Sequence, residues 1–457
     1  MIKLESISKK LTLMSMLSLL ILLALTTKSV QAATQPKAVT TVTISSNVAQ
    51  VSTLTVGTTH ENNDANSWNN TGSVSSAKLV LGKSVVYQNQ HIMGFGADDP
   101  EPSKGHYDLG SLDERVQLMR STHAQMVITL CGAPGWMRSP GHMDDWKDIE
   151  VAPDPKHVQD FAQLSALIAA RYPDVKYFQV WNELKGMWSD APGASASALN
   201  QNRWDYERYM TLYNAVYDAV KKVRPDALIG GPYVPMDTDG DKSQMSNPGP
   251  SYSWGTIDQR GLDVITYWLK HKHGGDFVTV DGWALNNDKV MKTDAFGMVQ
   301  KFADINNWIH KQTNLPVWWS EWYVDDPTVS HNTLDYYNAL QSTALANMLT
   351  SGGSSALLWQ PQGDKDGYSF TEGLFTDTTI ANGGKATKFA ASSQAFKDNF
   401  GPGTAIRKVA TSNNNLTVIA SSAKMMLINH LAGKQTAIVN GKSFTLDGYQ
   451  VLVTAAV

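Results

Sequence analysis

A regular alternation of two kinds of segment constrains the fold of this 457-residue chain more than any other feature. Short apolar runs typical of buried β-strands are separated by longer segments in which apolar residues recur with helical spacing. We predict eight strands, at residues 54–57, 91–96, 125–130, 176–181, 227–230, 277–280, 316–320 and 355–359. The clearest predicted helices are 112–122, 157–171, 206–223, 258–272, 298–310 and 334–349.

Eight strands that alternate with helices predict an α/β protein built on a (β/α)8 TIM barrel, whose active site lies at the C-terminal ends of the strands. An open, doubly wound α/β sheet is the alternative architecture. It has less support, because no glycine-rich phosphate-binding turn opens any of the helices. Several loops that follow strands are long, which is typical of loops that bind a substrate.

Beyond residue 400 the sequence changes character. Short strand-like runs separated by turns replace the helical spacing, which predicts a small C-terminal β-sandwich over residues 401–457. A strand at 39–44 is expected to complete it, so that residues 33–52 form a leader and an N-terminal strand that joins the β-domain. The catalytic barrel is assigned to 53–400, and the role of the sandwich is either structural or carbohydrate-binding.

The first 32 residues have the pattern of a secretory signal peptide. Lys3, Lys9 and Lys10 precede an apolar run at 11–25, and small residues favour cleavage after Ala32. An N-terminal membrane anchor is the alternative, but the apolar run is shorter than the about 20 residues that a spanning helix needs. We therefore expect a secreted or extracellular protein, periplasmic in a Gram-negative cell, without stable membrane insertion.

Composition excludes several classes of function. The formal net charge is −4, so the chain lacks the basic field on which nucleic-acid binding depends, and no nucleic-acid partner is expected. The single cysteine, Cys131, rules out an intramolecular disulfide and a cysteine-based metal cluster, and the histidines have no metal-binding spacing. We predict neither a metal nor a cofactor, and the oligomeric state is left open.

Two predicted strands end in a glutamate surrounded by aromatic residues. Glu183 ends the fourth strand and Glu321 the seventh, and these strands face each other across the mouth of an eight-stranded barrel. Cleavage of a glycosidic bond with retention requires two carboxyl groups about 5 to 5.5 Å apart. Flat aromatic faces also suit pyranose rings. The pair therefore indicates an oligosaccharide or polysaccharide substrate.

These motifs resemble those of the clan A retaining glycoside hydrolases, and look most like family 39 and its relatives. The residues that carry the resemblance are Trp181-Asn182-Glu183, Trp319-Ser320-Glu321-Trp322, Ala133-Pro134-Gly135-Trp136-Met137 and Trp359. The resemblance spans residues 54 to 399 and implies a retaining enzyme. It implies that Glu183 is the acid/base, Glu321 the nucleophile, Asn182 the contact to the sugar 2-hydroxyl, and Trp359 a platform beneath the reacting sugar.

Other side chains near the predicted strand ends are candidate substrate contacts. They are Trp136, Trp188, Asp98, His60, Trp283 and Trp322. Two positions depart from the pattern of the resembling enzymes. An arginine is expected near the end of the second strand, where this chain has Gly96-Ala97-Asp98-Asp99, and a histidine and a tyrosine are expected after the sixth, where it has Asp281-Gly282-Trp283.

The sequence thus predicts a secreted retaining glycoside hydrolase that uses two glutamates. One alternative is a barrel that binds carbohydrate without turning it over, which the altered strand ends allow. Another is a polysaccharide lyase that acts on uronates, which requires basic residues at the mouth, and only Arg138 and Lys185 are expected there. The sugar, the linkage and the choice between exo and endo action stay open.

Overall fold

The computed structural model describes residues 38–61, 64–330, 333–363 and 373–457. The predicted signal peptide lies outside the described residues. Eight parallel strands form a closed barrel: Thr55–Thr59, Tyr87–His91, Gln125–Leu130, Tyr177–Val180, Leu228–Pro235, Phe277–Trp283, Val317–Tyr323 and Gly353–Trp359. The eighth strand pairs with the first and closes the barrel. We refer to them below as the first to the eighth barrel strand.

One long helix follows each barrel strand. In chain order these helices are Thr71–Ser84, Gly110–Ser121, Val158–Arg171, Tyr206–Val223, Gln259–His271, Lys301–Gln312, Leu334–Thr350 and Lys388–Phe400, with a short helix at Ala295–Met298 and 3-10 turns at Gly135–Met137, Pro155–His157 and Lys242–Gln244. The prediction of a (β/α)8 barrel is confirmed. The first and last of the long helices were not among the clearest predicted ones. Each begins with a side-chain cap, from Asn70 and from Thr387.

The prediction of the second strand at 91–96 is wrong. The strand is Tyr87–His91, and its residues read Tyr-Gln-Asn-Gln-His, all of them buried. A polar strand of this kind has no apolar run for sequence analysis to detect. The correction also moves the end of the strand from residues 96–99 to His91.

The second strand contributes Asn89 to a layer of polar side chains inside the barrel. Hydrogen bonds join five residues of five different strands into a ring, which we call the polar ring: Thr59, Asn89, Thr129, Gln179 and Ser320. Asn89 donates to Thr59 at 3.2 Å, Thr129 donates to Asn89 at 2.8 Å, and Gln179 donates to Thr129 at 3.2 Å. Ser320 donates to Gln179, and Thr59 donates to the Ser320 carbonyl at 2.6 Å. Every member is buried, so each bond satisfies a group that water does not reach.

Aromatic residues fill the other layer of the barrel interior. The Trp318 ring stacks on Phe277 with a centroid distance of 4.1 Å, and it lies 4.8 Å from Tyr87 and 5.2 Å from Tyr177. Tyr87, Tyr177 and Trp318 each lie two residues before a member of the polar ring on the same strand. The interior is therefore a packed core below a polar layer, and the open end of the barrel lies at the C-terminal ends of the strands.

The C-terminal strands form two sheets, as the predicted β-sandwich requires. One sheet contains Ala405–Thr411, Ala38–Val51, Gln435–Val439 and Lys442–Leu446, and the other contains Leu416–Ala420, Lys424–Asn429 and Val451–Ala455. The strand Ala38–Val51 pairs with Ala405–Thr411. The three-stranded sheet packs on the barrel helix Leu334–Thr350.

Two small sheets lie within the loops at the open end of the barrel. The loop after the fifth barrel strand contains Thr238–Asp239, Pro248–Tyr252 and Gly255–Asp258, and the loop after the eighth contains Gln362–Gly363 and Phe375–Thr376. Among the described residues, none of the helices has both the length and the apolar character needed to cross a membrane.

Candidate active site

A bulge in the seventh barrel strand turns Glu321 into the open end of the barrel. Trp318 and Ser320 face the barrel interior, so strict alternation would point Glu321 outward. The pairing with the sixth strand skips one residue at this point, since Val280 pairs with Trp319 and Asp281 with Glu321. The extra residue rotates the chain. Glu321 therefore reaches the mouth, and its side chain is 10% exposed.

Glu183 lies on a turn with unusual backbone conformation. Trp181, Glu183 and Leu184 have φ of 66°, 48° and 49°, in the left-handed region that non-glycine residues rarely adopt. The buried Trp181 and Leu184 side chains anchor the turn, and the Trp181 Nε1 donates to the Lys185 carbonyl at 2.9 Å. Such conformations are costly and are found preferentially at functional sites. Here the turn presents Glu183 at the mouth.

Three carboxyl groups meet at this position. One oxygen each from Glu183, Asp281 and Glu321 lies within 4.8 Å of the other two. The Oε1 atom of Glu321 accepts hydrogen bonds from Asn182 Nδ2 at 3.1 Å and from the Tyr233 hydroxyl at 2.7 Å. Glu321 is therefore held in one orientation by two donors, one on the turn after the fourth strand and one on the fifth strand.

Two basic side chains complete the immediate surroundings. Lys185 Nζ lies 3.0 Å from Glu183 Oε2 and 3.2 Å from Glu150 Oε1. His91, at the end of the second strand, places Nε2 4.0 Å from Glu321 Oε1. Neither ring nitrogen of His91 has a hydrogen-bond partner among the described residues.

Burial dominates the electrostatics of the site. It raises the pKa of Glu321 to about 7, with a further contribution from the nearby Glu183 carboxylate. Burial, followed by Glu183 and Glu321, raises the pKa of Asp281 well above its ordinary value. Burial lowers the pKa of His91 to about 3, with Lys185 acting in the same direction, so the imidazole is neutral. Burial opposes the charge of Lys185, but three glutamates outweigh it and raise the lysine pKa.

We call Glu183, Asp281 and Glu321 the carboxyl trio, and their oxygen atoms are close enough to share one small cation or one proton. The Lys185 ammonium already compensates part of its negative charge. A shared proton is the simpler occupant, because the raised pKa values of Asp281 and Glu321 show that the site favours the neutral acid. The sequence prediction of no metal and no cofactor stays a prediction.

Three half-buried aromatic residues lie side by side at the ends of the sixth, seventh and eighth strands. Trp283 and Trp359 each lie 5.5 Å from Tyr323, measured between ring centroids. We call Trp283, Tyr323 and Trp359 the aromatic row. The sequence named the two tryptophans as candidate contacts, and the structure brings them together beside the strand that carries Glu321.

Other candidate contacts lie elsewhere on the mouth loops. Trp188 packs edge-on against Trp204 at 4.8 Å, with the Arg260 guanidinium 5.1 Å from its ring. Trp136 is held by its Nε1, which donates to the Glu101 carbonyl at 2.8 Å. Asp98 is exposed, and its backbone N–H donates to Ser111 Oγ.

Two of the candidate contacts do not lie at the mouth of the barrel. His60 is fully buried, and its ring nitrogens lie 3.0 Å from Asp64 Oδ2 and 3.0 Å from Gln88 Oε1. Trp322 is 1% exposed and packs edge-on against Phe302 and Phe389 on the helix side of the barrel. Both side chains are part of the packed core, so neither is a substrate contact in the function proposed below.

Sequence analysis did not single out Tyr233 or His91. The fifth strand was predicted to end at residue 230, whereas it continues to Pro235 and carries Tyr233 with φ of 54°. The missed signal is Gly230-Gly231-Pro232-Tyr233, a strand whose small residues admit neighbouring aromatic rings: a Cβ on Gly230 would lie 2.1 Å from the Phe277 ring. His91 was missed because the second strand was misplaced.

Comparison with known proteins supports the fold. No protein-family model matches the chain, and no curated protein matches it. Solved structures do match: an exported protein from Bacteroides fragilis has a TM-score of 0.64 at 13% identity, with 91% of this chain and 100% of that chain covered. A GH39 enzyme from Xanthomonas axonopodis pv. citri has a TM-score of 0.54 at 16% identity, with coverage of 88% and 77%.

The catalytic domain of GH30 xylanase C from Talaromyces cellulolyticus has a TM-score of 0.53 at 13% identity, and the match covers 91% of this chain and 97% of that chain. The resemblance found in the sequence is confirmed at the level of the fold. This chain has the architecture of the glycoside hydrolases of families 39 and 30, a TIM barrel with an additional C-terminal sheet domain.

Proposed function

We propose that the protein is a retaining glycoside hydrolase in which Glu321 is the nucleophile and Glu183 the acid/base. The observation that carries the proposal is the pair of glutamates at the open end of the barrel, with oxygens within 4.8 Å of each other. Glu321 is the more buried and is oriented by Asn182 and Tyr233, as an attacking group must be. Glu183 is more accessible, as a group that exchanges protons with water must be.

In the first step Glu321 attacks the anomeric carbon of the sugar. The bond between that carbon and the glycosidic oxygen breaks, and Glu183 transfers its proton to the departing oxygen. The product is a glycosyl ester on Glu321. The Lys185 ammonium, 3.0 Å from Glu183 Oε2, stabilises the negative charge that Glu183 has at this point.

In the second step water cleaves the ester. The Glu183 carboxylate takes a proton from the water, whose oxygen attacks the anomeric carbon and displaces Glu321. Glu321 returns to its ionised state and Glu183 to its acid form. Two inversions at one carbon give net retention, and one water is consumed for each bond broken.

The aromatic row supports a saccharide substrate. Trp283, Tyr323 and Trp359 are half-buried and lie beside the nucleophile's strand, where their faces suit the sugar that becomes attached to Glu321. Asn182 contacts Glu321, which supports its proposed role next to the sugar 2-hydroxyl. Trp136 and Trp188 remain proposed contacts further out on the loops.

Exposed aromatic residues on the loops after the second and third strands support a longer substrate. Tyr107 is 44% exposed and Trp146 is 55% exposed. Trp146 lies four residues from Glu150, which shares Lys185 with Glu183, so this loop adjoins the side of the site that protonates the leaving group. We infer that an oligosaccharide or polysaccharide extends over these loops. The signal-like N-terminus supports export, so we propose that the enzyme acts outside the cytoplasm.

The first test is product release from a panel of aryl glycosides and polysaccharides, with the anomer of the first product followed by NMR. We expect the wild type to release a sugar of the same anomeric configuration as the substrate, and Glu321→Gln to lose nearly all activity. Glu150→Gln is the matched control, because Glu150 also contacts Lys185 but takes no part in bond cleavage.

Other results would favour the alternatives. Sugar binding that survives Glu321→Gln, without product at any pH, would identify a binding protein. New absorbance from an unsaturated uronide would identify a lyase, although Arg138 is 1% exposed and donates to the Asp144 carbonyl, which removes one of the two expected basic residues from the mouth.

The assignment of Glu183 has its own test. Glu183→Gln is expected to reduce kcat/KM by about a hundred- to ten-thousandfold for substrates with poor leaving groups, because loss of general acid catalysis has effects of this size. Aryl glycosides with acidic phenols need less protonation and should be affected less in the first step. An equal loss for both kinds of substrate would contradict the acid/base role.

A further inference from the structure

We propose that Asp281 is a positioning residue that remains a neutral carboxylic acid and donates a hydrogen bond to Glu321, so that the nucleophile is held in its ionised state. The inference deepens the proposed function and rests on it. It concerns a residue on the sixth strand, where the resembling enzymes are expected to have other residue types.

The side chain of Asp281 lies beside two other carboxyl groups. The side chain is 4% exposed, and its Oδ2 atom has no hydrogen-bond partner among the described residues when it is treated as a carboxylate. The carboxyl groups of Glu183 and Glu321 both have an oxygen atom within 4.8 Å of an Asp281 oxygen. A buried carboxylate beside two other carboxyl groups is strongly disfavoured, whereas a protonated one has a donor to offer.

The charged and titratable groups on the neighbouring elements also favour a protonated Asp281. The second strand contributes His91, whose ring is neutral, and the fifth contributes the Tyr233 hydroxyl, which donates to Glu321. The seventh contributes Glu321 and Tyr323, and the turn after the fourth contributes Glu183 and Lys185. Among these groups the single cation is Lys185, and it contacts Glu183 at 3.0 Å.

Three carboxyl groups therefore share one ammonium. In the proposed reaction Glu183 gives up its proton to the leaving group and Glu321 is ionised during attack, so Asp281 is the one of the three that can keep a proton throughout. Burial and both glutamates raise the pKa of Asp281 well above its ordinary value, while the hydrogen bond from Asp281 acts to lower the pKa of Glu321. The two effects describe one arrangement, in which Asp281 carries the proton and Glu321 accepts it in a hydrogen bond.

This arrangement has a consequence for catalysis. A neutral donor stabilises the negative charge of Glu321 before attack and again as the ester breaks. An ionised Asp281 would instead repel Glu321 and raise its pKa further, which would remove the nucleophile from its active state at neutral pH.

The direct test is infrared difference spectroscopy at neutral pH between the wild type and Asp281→Asn. We expect the wild type to have a carbonyl band of a buried, neutral carboxylic acid that the variant lacks. Asp398→Asn, at an exposed position on the last barrel helix, is the control and should remove only carboxylate bands. A difference spectrum for Asp281→Asn that shows only the loss of carboxylate bands would overturn the proposal.

The second test is the pH profile of kcat/KM, since a purely structural role would not move it. Asparagine replaces a neutral donor with a neutral donor, so Asp281→Asn should keep activity within about tenfold of the wild type and keep the acidic limb at the same pH. Asp281→Ala lacks the donor, so its acidic limb should move to higher pH. If the acidic limb of Asp281→Asn moves to lower pH, a negative charge has been removed and the proposal is wrong.

A cation at the carboxyl trio would also overturn the proposal. Titration of the wild type with Mg²⁺, Mn²⁺ and Ca²⁺ by calorimetry should give no binding that Asp281→Asn abolishes, and EDTA should leave the infrared band unchanged. The infrared and calorimetric readouts do not depend on turnover. A protein with the acid band but no glycosidase activity would contradict the proposed function and leave the state of Asp281 established.

Discussion

Tyr233 shows how one side chain links the barrel scaffold to the proposed chemistry. It lies on the fifth strand with φ of 54°, is fully buried, and donates to Glu321 Oε1 at 2.7 Å. A hydrogen bond to a charged group contributes about 1.5 to 3 kcal/mol. The hydroxyl therefore both orients the carboxylate and favours its ionised form.

Removal of this hydroxyl gives the first prediction. Tyr233→Phe should lower kcat/KM by roughly ten- to a hundredfold, which corresponds to the energy of such a bond. Because the bond lowers the pKa of Glu321, its loss should also move the acidic limb of the pH profile to higher pH. Tyr213→Phe is the control, since that hydroxyl donates to the Gly274 carbonyl at 2.9 Å. An unmoved acidic limb in Tyr233→Phe would contradict the assigned contact.

The raised pKa of Glu321 gives a second prediction, about stability. The pKa of Glu321 rises from 4.5 to about 7 on folding, so the folded protein disfavours the ionised carboxyl group. Below the unfolded value the group is protonated in both states and contributes nothing. As pH rises past the folded value, the full cost of about 3 kcal/mol is present.

Glu321→Gln removes that cost. Its melting temperature should therefore exceed that of the wild type at pH 8, and the difference should shrink towards zero near pH 4. Differential scanning calorimetry across this range provides the measurement. A stabilisation that is equal at both pH values would show that the carboxyl is not the cause.

At the scale of elements, the seventh strand depends on its bulge. Trp318, Trp319 and Ser320 alternate between the barrel interior and the helices, and the extra residue then turns Glu321 into the mouth while Trp322 faces the helices again. The polar ring lies directly below. Its members connect the strand that carries Glu321 to the first and fourth strands.

The polar ring leads to the third prediction. Gln179→Leu would leave the buried Ser320 hydroxyl without its acceptor, at about 1 to 3 kcal/mol for an unsatisfied group, and would remove the hydrogen bond that Thr129 accepts from Gln179. We expect a lower free energy of unfolding in urea and a lower kcat, because Ser320 precedes Glu321. Gln394→Leu, on the outer face of the last helix, should change stability by less than about 0.5 kcal/mol. Equal effects of the two changes would show that the ring is not needed.

At the scale of the whole molecule, the C-terminal sandwich belongs structurally to the barrel. Ile406, Ile419, Met426 and Ile428 are buried in the same apolar cluster as the barrel helices. The strand Ala38–Val51 pairs with Ala405–Thr411, so both ends of the described chain contribute to one sheet. The sandwich covers an apolar face of the helix Leu334–Thr350.

The fourth prediction concerns removal of this domain. A chain that ends at residue 400 should aggregate or lose most of its soluble yield, because the apolar face of the Leu334–Thr350 helix becomes exposed and the N-terminal strand loses its partner. A second truncation that also lacks residues 38–52 separates the two causes. Size-exclusion chromatography is the measurement, and a monomeric truncated barrel with unchanged melting temperature would contradict the structural role.

The sequence by itself determined the order of strands and helices and the position of both glutamates. Apolar periodicity is a local property, so it can be read from the sequence without knowledge of the fold. An aromatic strand that ends in a carboxylate indicates a residue at the mouth of a barrel. Sequence analysis failed at the second strand, which is polar because Asn89 belongs to the polar ring while Gln88 and Gln90 bond to Thr122 and Arg115 on the other side of the strand.

Only the tertiary structure decided which side chains meet at the site. The bulge that turns Glu321 inward, the contact from Tyr233, the approach of His91 and the place of Asp281 all depend on the register between strands that are far apart in sequence. Register is set by packing across the barrel, which no stretch of sequence contains. The same packing buries His60 and Trp322, two residues that local pattern had placed at the mouth.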